Sequence, residues 1–193
     1  MNLTCMRAPA TRIGDIFEIP ISPECKRYMQ FIVVDSTHLG GWGIRVFKKH
    51  YLPEEQPSIN EIVADDVDFY CLTYAIGHGV LDGWWRKYGK SKDIGNISDI
   101  VFRLYHKKLI EAALFGKEDK DCWWVWTPNQ EFIHYETLPE KYWYADDGSL
   151  FPPCNVISRI KTGRWHKEPN VYDDYHGSYL PKPETISEGG FFI

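Results

Sequence analysis

The chain has 193 residues, 44% hydrophobic and 16% aromatic, enough apolar material for one ample domain and too much for a disordered chain. A formal net charge of −5 disfavours direct nucleic-acid binding, no run of 18 apolar residues offers a membrane span, and the opening MNLTCMRAPATR lacks a signal-peptide core, so a cytoplasmic protein is expected. The five cysteines (Cys5, Cys25, Cys71, Cys122, Cys154) are odd in number and scattered without a C-x-x-C, which suggests neither a disulfide framework nor a zinc cage.

With 8 Trp, 12 Tyr and 10 Phe beside Val, Ile and Thr, the composition favours strands, because flat and branched side chains suit a pleated, half-buried surface. GDIFEIPI, residues 14 to 21, alternates after its glycine: Ile16, Glu18 and Pro20 point one way, Phe17, Ile19 and Ile21 the other. It reads as a first strand stopped by Pro20 and Pro23. Tyr28 to Val34 reads as a second strand, apolar enough to be covered on both faces, and WGIRVF, from Trp42 to Phe47, as a third after the turn at Gly40 and Gly41. Three strands on short connections imply an antiparallel meander. Leu52 to Asp68 reads as a polar, proline-punctuated loop with one short helix. FYCLTYAI, from Phe69, then a glycine loop at 77, 79 and 83, and then Trp84 to Tyr88 read as a hairpin. Residues 96 to 115 are open between a helix capped by Asn96 and a strand over Ile100 to Tyr105 followed by a helix at 109 to 115.

CWWVWT, residues 122 to 127, sends Cys122, Trp124 and Trp126 to one face and Trp123, Val125 and Thr127 to the other. The simplest reading is a central strand covered on both faces; the alternative is that one face is an exposed anchor, as Trp and Tyr are enriched at interface hot spots. Gln130 to Tyr135 is expected to return antiparallel, and a further hairpin is expected around Asp147 and Gly148. The whole reads as an α+β, mainly β chain, an antiparallel meander forming a small barrel or a strongly bent sheet with one or two short helices. A single domain over residues 1–165 and an extended, Pro- and Gly-rich tail over 166–193 are expected.

No catalytic constellation emerges. There is no G-x-S-x-G, no H-E-x-x-H and no strand-to-helix glycine loop, and His78 on Gly-His-Gly reads as a turn histidine. His166, Asp173, Asp174 and His176 have metal-like composition but sit in the tail, so no metal and no cofactor are expected. The charge is uneven: residues 51 to 85 hold seven acids (Glu54, Glu55, Glu61, Asp65, Asp66, Asp68, Asp82) and no base. That segment is either a solvated edge or an acidic surface able to steer a basic partner.

RIGDIFEIPI, then an apolar strand ending VVDST, then GGWGIRVF, then DGWWRKYG, resemble in order the immunity protein 26 family of bacterial polymorphic toxin systems, with the likeness strongest over residues 12–90. The resemblance implies a non-enzymatic cytoplasmic protein that binds and neutralises a cognate toxin domain; it carries no catalytic or binding residues of its own. Many antibacterial toxins act on nucleic acids or nucleotides and carry basic clefts. On that expectation the acidic segment supplies the partner-binding residues, Asp65, Asp66 and Asp68, with Trp84 or Trp85 as the apolar anchor beside them. Two other classes stay open: a small-molecule- or peptide-binding β-barrel regulator whose aromatics line a pocket, and a hydrolase using His78 or the tail histidines.

Overall fold

The computed structural model describes residues 9–37, 40–74, 76–106 and 122–165. The helix expected at 109–115, the tail over 166–193 and the tail cluster of His166, Asp173, Asp174 and His176 lie outside them. The described chain is mainly β, with ten strands in two sheets and three helices. No described helix is long and apolar enough to cross a membrane.

The meander expected from the alternation is the heart of the first sheet. Strands β1 (Asp15–Ser22), β2 (Cys25–Asp35), β3 (Gly41–Phe47) and β4 (Val67–Thr73) pair antiparallel in succession. β5 (Arg86–Lys90) adds antiparallel to the free side of β1, and β10 (Leu150–Phe151) adds parallel to β4. The resulting order, β10-β4-β3-β2-β1-β5, is an open sheet rather than a closed barrel. Register shifts interrupt four of its pairings, at Pro20/Ser22, Ile16/Phe17, Phe31/Val33 and Val46/Phe47. Each such bulge bends and twists its strand.

The pleat sorts the core. Phe17, Ile19, Met29, Phe31, Ile44, Val46, Phe69 and Cys71 form one face, covered by α2 (Ile76–Leu81) and α3 (Pro153–Thr162) through Ile76, Val156, Ile157 and Ile160. The opposite face has two covers. At one end Ile16, Tyr28 and Phe47 lie under Tyr51 and α1 (Ile59–Val63). At the other, Ile32, Val33 and Leu72 meet Phe102 and Trp126 of a second sheet.

That second sheet runs β8-β7-β6-β9, from β6 (Phe102–His106), β7 (Cys122–Trp126), β8 (Ile133–Tyr135) and β9 (Asp146–Asp147). β7 is an inner strand with both faces covered: Trp126 packs toward the first sheet, while Trp123 and Val125 pack under Leu138. Trp124 is half-buried, between Phe132 and the parallel ring of His134. Asp35, fully buried at the end of β2, clips the two sheets together. Its Oδ2 accepts the Trp126 indole N–H at 2.7 Å, and its Oδ1 accepts the backbone N–H of Thr37 and of Asn129, each at 3.0 Å.

Two local expectations are corrected, one open choice is resolved and one helix is added. Residues 76 to 81 are the helix α2, not a hairpin turn, and Gly79 is there because a Cβ would sit 2.1 Å from the Trp85 ring. The segment at 96 to 106 resolves as a 3-10 turn over Ile97–Asp99 capped by Asn96, followed by strand β6. Around Gly148 there is no hairpin, because β9 pairs with β6 and β10 with β4, in different sheets. Helix α3 was not expected, although Pro153 in its first turn, Gly163 at its left-handed end and apolar positions 153, 156, 157 and 160 are helix signals.

Candidate partner-binding surface

The acidic segment is built from the exit of β3 onward. Ser58 and Glu61 form a capping box that starts α1: the Ser58 hydroxyl accepts the Glu61 backbone N–H at 3.2 Å, and Glu61 Oε2 accepts the Ser58 N–H at 2.9 Å. The Ser58 backbone N–H, and after it the Ser58 hydroxyl, hold the Glu61 carboxyl below its ordinary range. After α1 the chain turns back into β4 and is pinned to the β3 exit. Lys48 N–H donates to Asp66 O at 2.9 Å, and Lys49 N–H to Asp65 Oδ2 at 2.7 Å. Glu55 accepts the Leu52 N–H, and Asp68 forms a 2.8 Å ion pair with Arg27, itself buried on β2.

Four of the seven carboxylates therefore accept bonds from the chain or pair with Arg27, although Glu55 and Glu61 stay exposed. Asp66 is exposed at the turn, Glu54 is exposed in the preceding loop, and Asp82 is exposed at the end of α2. The neighbouring Lys48, Lys49 and His50 are exposed too, so the rim carries both signs of charge, with acids in excess. A primary-sequence window could not register this, because Arg27 and Lys48 lie outside it while packing against it.

The two tryptophans part company. Trp85 is 2% exposed, packs in the core with α2 and donates its indole N–H to Ile76 O at 2.9 Å; it offers no surface, and its place among the binding residues is corrected. Trp84 is 39% exposed and lines an open groove of about 440 Å³ with Pro20, Ile21, Pro23, Ile157 and Lys161. Trp84 and Asp66 lie at the same end of the first sheet, where β1, β3 and α2 end and β4 and β5 begin. They are not beside one another. β3, β2 and β1 intervene between β4 and β5, four steps of about 4.8 Å, or roughly 19 Å across the sheet.

The structure buries several charged residues of the strands. Glu18, 5% exposed, is bracketed by Lys26 Nζ at 3.1 Å, Arg86 at 2.7 Å and the Tyr28 hydroxyl at 3.2 Å. Asp15, fully buried, accepts from Lys87 Nζ at 2.7 Å and from the Arg12 N–H at 2.9 Å. Gln30 links Arg45, at 2.8 Å, to the backbone of Gly14 and Asp93. Burial raises the Tyr28 hydroxyl pKa well above its ordinary value and lowers that of the Arg45 guanidinium. Two buried carboxylates on β1 thus anchor the first two side chains of β5, a relation that the strand alternation hinted at only through Glu18.

His78 is exposed on α2. Among the described residues, no group of three or more His, Cys, Asp or Glu side chains is arranged to hold a metal ion. Compared with known proteins, the chain matches no family model, no curated protein and no solved structure.

Proposed function

We propose that this chain is a non-enzymatic immunity protein that binds and neutralises a cognate toxin domain in the bacterial cytoplasm. The observation that carries this reading is where the four resembling segments fall. GDIFEIPI, VVDST, GGWGIRVF and DGWWRKYG supply β1, the end of β2, β3 and the α2-to-β5 corner, all parts of one sheet. The likeness therefore follows a continuous piece of architecture rather than scattered short matches. At the strand ends of that sheet the exposed Asp66 and Trp84 are two separated contact points on one rim, and a partner would have to span both.

Co-expression with the toxin encoded next to its gene tests the reading. Survival of cells carrying both, with death of cells carrying the toxin alone, is expected. Asp66→Asn with Trp84→Ala should weaken binding by about 2 kcal/mol or more without changing the fold. Toxicity undiminished by abundant, folded protein refutes the reading.

A further inference from the structure

We propose that the outer edge of β5 is a docking strand that takes an extended, acidic segment of a partner protein by adding it as a seventh strand of the first sheet. A sheet edge carries backbone N–H and C=O groups facing away from its neighbour, and a chain that pairs with them satisfies both sides. The molecule covers its other long edge. β4 pairs with β10 at Leu72 and Thr73, and further along its Tyr70 N–H is taken up by Asp146 Oδ2 at 3.2 Å. The edge strands β8, β9 and β10 have only three, two and two residues. β5 has five, and among the described residues it pairs with β1 alone.

The chemistry of the occupant follows from the side chains. Arg86, Lys87 and Lys90 stand on the strand and Lys92 just beyond it, all exposed, with no acid between them. Asp15 and Glu18 bind Lys87 and Arg86 from the β1 side and offset their charge, so Lys90 and Lys92 are the cations that an added strand would meet. Opposite charges facing one another across an antiparallel pair are favourable, and like charges are unfavourable. A second copy adding β5 to β5 would set these cations against each other, which rules in an acidic partner strand over self-pairing. Trp84, two residues before the strand and 39% exposed, gives such a segment an aromatic surface where it runs past Arg86 toward the groove.

The probe is an acetylated, amidated octapeptide of alternating Glu and Thr, alongside the same peptide N-methylated at every second residue and a Lys-Thr counterpart. The readouts are amide hydrogen exchange and nitrogen–proton shifts of the full chain. Expected are saturable binding of the Glu-Thr peptide, at least threefold slower exchange at alternate amides of residues 86–90, and loss of more than tenfold in affinity on N-methylation, which keeps charge but removes donors. Lys90→Glu with Lys92→Glu should weaken binding at least fivefold, and the Lys-Thr peptide should not bind. Equal binding of the N-methylated peptide would show a diffuse charge effect and overturn the proposal. So would the absence of any response at residues 86–90 with millimolar peptide, which would make the cations a guard against edge pairing.

Discussion

Asp35 bonds to both sheets, and the effect of its removal can be worked from its bonds. Asp35→Ala deletes the acceptor of three N–H groups, one of them the indole of Trp126, which is 2% exposed. A hydrogen bond to a charged group contributes about 1.5–3 kcal/mol, and a buried donor left without a partner costs about 1–3 kcal/mol. The two backbone amides lie nearer solvent and recover part of their loss from water. The expected total is about 3–5 kcal/mol, a large share of the roughly 5–15 kcal/mol that holds a domain together. With a urea slope of about 2 kcal/mol/M, the midpoint should fall by roughly 1.5–2.5 M, followed by far-ultraviolet circular dichroism. Asp35→Asn should not rescue it fully, because one of its two oxygens becomes a donor facing donors. A double-mutant cycle with Trp126→Phe isolates the inter-sheet bond and should give about 1.5–3 kcal/mol of coupling. A coupling below about 0.5 kcal/mol would refute the idea that this bond clips the sheets together.

Trp85→Ala should cost about 3–5 kcal/mol by opening a cavity beside α2, whereas Trp84→Ala should leave stability within about 0.5 kcal/mol; thermal melts of the pair separate a core tryptophan from a surface one. Ser58→Ala removes the hydroxyl that helps hold the Glu61 carboxyl low, so a carbon-detected titration should show that carboxyl moving back up toward 4.5. A group depressed in the folded state contributes stability that is present above its unfolded value and lost as pH falls through the folded one. The capping box should therefore weaken only in acid, and less steeply in the variant.

The meander was legible because β1, β2 and β3 are local: alternation in GDIFEIPI and apolar continuity in Tyr28 to Val34 report their own environment. The central place of the tryptophan strand was legible for the same reason, while residues 100 to 105 fitted a helix and a strand alike and only the structure chose the strand. Helix α2 was hidden by its glycines, which look like turn punctuation but include one that makes room for the Trp85 ring. The division into two sheets was not legible, since β10 with β4 and β9 with β6 pair residues far apart in sequence through stretches of only two residues. The binding residues suffered most. A run of acids says nothing about which of them meets a cation brought by another strand, and Arg27 reaching Asp68 is such a meeting.

The short stretch from Asp146 to Phe151 joins both sheets, one pair of residues to each, and this has a bearing on synthesis. β4 is complete at Thr73, yet its partner β10 is made roughly 80 residues later. At about 5–20 residues per second, that leaves the far edge of a nascent four-strand meander uncovered for roughly 4–16 s. During that interval β4 lacks the strand that covers its outer edge in the finished fold, and an uncovered edge is open to pairing with other chains.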